Sequence, residues 1–155
     1  MRSRPSEARA IIRALEVRSA ATPQGAADRR SASERIAEEA LAGALRRLCR
    51  GGSWQGIARE LAWRAVTGGH RDPRRVEALA DSAEAMLAPL IDDALWQVER
   101  CAASSRAEYL ELRPRDEAGA RAAARLDAGE EAEKLVQEAY GQVLDTLLGQ
   151  SRRAA

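Results

Sequence analysis

Apolar residues recur at helical spacing along almost the whole chain, and this periodicity limits the fold more than any other feature. The longest stripe runs Val76, Leu79, Ala80, Ala83, Leu87, Leu90, Ile91, Ala94, Val98 and Cys101, a pattern that puts one face of a helix into a core. Alanine is abundant and β-branched residues are sparse, so helix propensity is high nearly throughout. The expected fold is all-α.

At 155 residues the chain fits one helical domain, 1–155. A chain of this size buries roughly two thirds of its unfolded surface. With no Phe, and three Trp and two Tyr as the aromatics, the core has to come from small and aliphatic side chains.

Breakers and caps divide the pattern into five or six helices of a bundle. Pro5 opens a first helix over 5–20 with the stripe Ala8, Ile11, Ile12 and Leu15, and 21–32 reads as a loop around Pro23 and Gly25. Ser31 and Glu34 have capping-box spacing at the start of a second helix, which Gly51-Gly52 ends. Ser53 caps a third over 54–66, closed by Gly68-Gly69. Asp72-Pro73 starts a fourth. Pro89 lies inside its stripe, so a long helix kinked near Pro89 is expected, with a split near Ala88 as the alternative. Pro114 stops that periodicity. The last helical stretch covers 116–148, with a restart at Asp127 and Glu130, and 1–4 and 149–155 read as frayed tails.

Charge is unevenly placed. Residues 46–75 carry eight arginines (Arg46, Arg47, Arg50, Arg59, Arg64, Arg71, Arg74 and Arg75) against Glu60 and Asp72, a net of +6, whereas the whole chain is +1. Such a block fits a surface that binds nucleic-acid phosphate backbone, as a regulatory or nucleoprotein-associated module. The bland alternative is arginines dispersed around the bundle as solvated charges. The order of helices resembles a helix-turn-helix unit at Ile57–Leu61, but Ala62–Val66 continues as helix where that unit turns.

A second signal is tryptophan placement. At ~100° per residue, Trp63 lies across its helix from Ile57, Ala58 and Leu61. Trp96 lies opposite the fourth stripe, among Asp92, Asp93, Glu99 and Arg100. Both are expected at a partner interface. That supports the other functional reading, a protein–protein interaction module. It would be an adaptor, a chaperone-like or inhibitory protein, or a small subunit, and would meet an acidic protein surface or a second copy of the chain. Burial of each helix on two sides is the alternative for these tryptophans.

Enzyme chemistry finds little in the sequence. His70 is the one histidine, which removes multi-histidine metal sites, and no Walker or GxGxxG pattern is present. No catalytic residue, cofactor or metal is expected. Cys49 and Cys101 fall on apolar-periodic positions and read as buried thiols in a reducing cytoplasm. No stretch reaches the ~18 apolar residues of a membrane span.

Overall fold

The computed structural model describes residues 31–48, 54–66 and 72–153. The helix expected over 5–20, most of the loop over 21–32, the tail 1–4, both glycine pairs, Cys49 and His70 lie outside the described residues. Four helices make up the described chain: α1 (Ala32–Leu48), α2 (Trp54–Ala65), α3 (Pro73–Leu112) and α4 (Glu117–Arg153). Five to six helices were expected, and four are present among the described residues.

Local chemistry sets the helix starts. Ser31 accepts the Glu34 amide on its hydroxyl at 3.2 Å, so the serine half of the expected capping box caps the head of α1. Ala32, expected in the loop, is already helical. Asp72 stays extended and accepts the Arg74 amide at 3.1 Å, while Pro73 fills the first helical position, where its missing N–H costs nothing. α3 ends at Leu112 because Pro114 disfavours helical backbone at Arg113, which takes φ −137° and ψ 78°.

α3 passes through Pro89 as one 40-residue helix and does not split at Ala88. Pro89 removes a hydrogen bond and crowds the turn before it, at a cost of ~3 kcal/mol. The neighbours Leu87, Ala88 and Ile91 are each 2% exposed or less, and their packing holds both halves in one line of burial.

α4 corrects two expectations. It runs unbroken from Glu117 to Arg153 with no restart at Asp127, whose carboxylate accepts the Ser105 hydroxyl at 2.6 Å instead of capping a helix. Residues 149–153 are helical and not frayed. Arg75 donates to the Ser151 carbonyl at 2.7 Å, and Ser82 donates to Gln150 at 3.3 Å, so contacts from α3 tie that end down.

α3 and α4 form an antiparallel hairpin. Arg75 and Ser82 at the start of α3 meet Ser151 and Gln150 near the end of α4. Ser105, Arg106 and Tyr109 meet Asp127, Glu117 and Asp116 at the other end. At 1.5 Å per residue the two helices are about 60 and 55 Å long.

Burial divides the hairpin in two. Between Leu79 and Ala94, α3 buries about two positions per turn: Leu79, Ala83, Glu84, Leu87, Ala88, Ile91 and Ala94. Beyond it only Val98, Ala102 and Ser105 are buried, one per turn. α4 mirrors this, with Ala120, Ala124 and Ala128 in its first half and Ala132, Val136, Ala139, Tyr140, Val143 and Leu147 in its second. Two buried positions per turn require neighbours on more than one side, whereas one per turn is a narrow two-helix seam. α1 and α2 therefore pack on the basal half and complete a four-helix bundle. Among the described residues, the distal half stands out as a two-helix arm. The bundle core is aliphatic, led by Leu41, Ile57, Leu61, Ile91 and Leu147, with Tyr140 as the aromatic at its edge. No helix among the described residues is long and apolar enough to cross a membrane.

Candidate interaction surfaces

The described arginines of the block are spread over three helices. Arg50 and Arg71 lie outside the described residues. Of the other six, Arg47 leaves the last turn of α1 and donates through Nε and Nη2 to Glu133 of α4, at 2.9 and 2.6 Å. Arg64 pairs with Glu60 at 2.9 Å and lies 5.6 Å from the Tyr140 ring centroid. Arg75 is held on Ser151. Glu133 and Ser151 are separated by about 27 Å of helix, so Arg47 and Arg75 are anchored far apart along α4. Arg46, Arg59 and Arg74 are exposed, on three different helices.

The tryptophans lie as their helical phase requires. Trp63 is 47% exposed on α2 and Trp96 59% exposed on α3. The Arg100 guanidinium sits 4.6 Å from the Trp96 ring centroid, one turn on. That contact puts the cation over the ring of an indole that keeps 59% of its surface in solvent. Among the described residues, no helix buries either tryptophan.

Two exposed leucines on the arm had no counterpart among the sequence candidates: Leu126, 72% exposed, and Leu112, 85% exposed. Leu126 was legible in principle. Ala120, Ala124, Ala128 and Ala132 repeat every fourth residue, and position 126 falls about 200° away from that row. Near Leu126 a shallow open groove forms where the end of α1 meets α4, lined by Arg47, Arg125, Leu126, Gly129, Glu130 and Glu133. A Cβ at Gly129 would have nothing within 4 Å.

The tip of the arm is a closed polar clasp. Tyr109 donates its hydroxyl to Asp116 Oδ2 at 2.7 Å, while Asp116 Oδ1 accepts the Gly119 amide at 3.0 Å and caps α4. A Cβ on Gly119 would collide with both the Tyr109 hydroxyl and the Asp116 carboxylate, so glycine permits the close approach. The Tyr109 hydrogen bond, then the Gly119 amide, hold the Asp116 carboxyl below the usual carboxylate range. The same bond pushes the Tyr109 phenol up. Arg106 adds an ion pair to Glu117 at 3.0 Å.

Cys101 carries a free, partly buried thiol on the arm and is less enclosed than the sequence implied. Burial raises its pKa, and the carboxylates of Glu131, Asp127 and Glu130 raise it further. Among the described residues no group of three or more His, Cys, Asp or Glu side chains is placed to hold a metal ion.

No protein-family model, curated protein or solved structure matches this chain.

Proposed function

We propose that the protein is a non-enzymatic helical module that binds a protein partner, with Trp96 as the anchor of the docking surface. The observation that carries this is a tryptophan in mid-helix, 59% exposed, at the root of a two-helix arm, with the Arg100 guanidinium over its ring. A large aromatic left in water on a helix whose other side is well buried is the residue type that dominates interface energetics. Trp63 on α2 is a second anchor on the same logic.

Phosphate-backbone binding by residues 46–75 draws less support from the geometry. Three of its arginines, Arg47, Arg64 and Arg75, are engaged within the molecule. Arg46, Arg59 and Arg74 are exposed and lie on three different helices.

The test is a photo-crosslinking amino acid at Gln97, next to the indole, with and without Trp96→Ala. Under this reading a discrete protein adduct forms at Gln97 and disappears in the Trp96→Ala background, while the melting temperature barely moves. Adducts that ignore Trp96 would overturn it, as would a loss of fold that placed the indole in the core.

A further inference from the structure

We propose that the outer face of α4 binds a second copy of this chain, in an antiparallel two-fold pairing centred between Leu126 and Gly129. This surface is separate from that of Trp96. Leu126 lies about 200° from the alanine row that packs on α3, and Trp96 lies about 200° from Val98, which packs on α4. The two side chains therefore sit on opposite sides of the arm, and each surface is tested independently.

Three observations converge on a self-complementary face. The first is a knob and a hole three residues apart. Leu126 projects with 72% of its surface in solvent, and Gly129 offers open space where a side chain would otherwise be. In an antiparallel pairing about a two-fold axis between positions 127 and 128, Leu126 of each copy falls on Gly129 of the other. One small residue in each facing turn lets the helix axes approach to roughly 8 Å.

Charge gives the second observation. The same axis puts Arg125 of each copy opposite Glu130 of the other, and both side chains are exposed in the single chain. The two ion pairs flank the two leucines on either side, so the face attracts a copy of itself in this direction. In a parallel, in-register pairing Arg125 would face Arg125 and Glu130 would face Glu130. A two-fold interface requires every contact to be made twice, and this face meets that requirement.

The third is the shape of the groove. The Arg47 guanidinium, fixed on Glu133 at 2.6 Å, forms a wall at the bundle end. Toward the tip the outward positions Ala118 and Ala122 are exposed and short, and under the same axis Ala122 of each copy faces Glu133 and its Arg47 in the other, where a short side chain leaves the most room. Apolar surface at this face is modest, and the expected dimer is one that dissociates on dilution.

Sedimentation equilibrium of the full chain over a wide concentration range tests this. One copy has a mass of 16.8 kDa, and wild type is expected to shift from that mass to twice it as concentration rises. Leu126→Asp, at a position already in water, should stay at the single-copy mass with unchanged helical content. Arg125→Glu alone and Glu130→Arg alone each set like charges together and should lose the dimer. Mixing those two variants restores both pairs, so a mixed dimer should return. Wild type monomeric at every concentration would overturn the inference, as would a dimer indifferent to Leu126→Asp. A dimer lost in Trp96→Ala but retained in Leu126→Asp would also overturn it, while leaving the Trp96 docking surface intact.

Discussion

Arg47 on α1 and Glu133 on α4 are joined by two hydrogen bonds to one carboxylate oxygen, at 2.9 and 2.6 Å, across 86 positions of sequence. The pair ties the end of the short α1 to the middle of the longer α4, at the level where the bundle gives way to the arm. It also engages an arginine of the basic block within the molecule. Both side chains keep much of their solvent, 59% and 39%, so water screens their attraction.

Arg47→Gln should therefore cost little stability, ~0.5 kcal/mol and at most ~1 kcal/mol. Glu133→Gln should cost about the same, and the double variant no more than either alone. Urea unfolding at low and high salt checks this. High salt should shrink the wild-type advantage, whereas a loss of several kcal/mol would mean that the pair is far drier than its exposure indicates.

Two glycines of α4 should respond oppositely to alanine. At Gly129 an added methyl meets open space in a helix interior, so Gly129→Ala should stabilise the single copy by about 0.5–1 kcal/mol, while narrowing the hole offered to Leu126 of a second copy. At Gly119 it meets the Tyr109 hydroxyl and the Asp116 carboxylate, so Gly119→Ala should cost about 1–3 kcal/mol by forcing the tip apart. Thermal melts of the two variants, side by side, read the difference in sign.

The clasp at the tip should have a flat pH response bounded on both sides. Asp116 is held below the ordinary carboxylate range in the folded protein, so its contribution is full above that range and is lost as pH falls below about 4. Tyr109 is raised, so its contribution is full below the ordinary phenol range and is lost as pH climbs beyond about 10. NMR titration of the Asp116 carboxyl should give a midpoint below the normal one in wild type, moving upward in Tyr109→Phe. An unmoved midpoint would remove the hydroxyl as the main cause.

Cys101 should react slowly with iodoacetamide near neutral pH, because burial and three nearby carboxylates favour the thiol over the reactive thiolate. Glu131→Gln should speed alkylation, by removing the largest of the three charge effects. A Cys49→Ser background confines the readout to Cys101.

Most of the fold was legible from local pattern. Ser31, Asp72, Pro73 and Pro114 act where their chemistry dictates, and each works within one or two turns of its own position. The differences come from distant contacts. The chain around Asp127 resembles a helix start, yet Ser105 takes its carboxylate and α4 continues. The end of α4 reads as a tail, yet Arg75 and Ser82 reach it from α3. The arginine block meets the same limit. A net charge summed along sequence says nothing of which acids fold back upon it, and Glu133 lies on another helix altogether. Tryptophan placement needs only the phase of a helix, and there sequence and structure agree.

The single row of alanines along the arm has one more consequence. An alanine contact removes little apolar surface per turn, so unzipping the arm exposes far less than unfolding the bundle. The protein should therefore open in two tiers. Amide protons on the arm, near Ala102 and Ala124, should exchange with solvent deuterium through fraying that begins at the tip and leaves the bundle intact. Those around Leu61 and Ile91 should wait for the whole molecule to come apart. The arm is then the element able to adjust its shape against whatever it meets, mounted on a base that does not move with it.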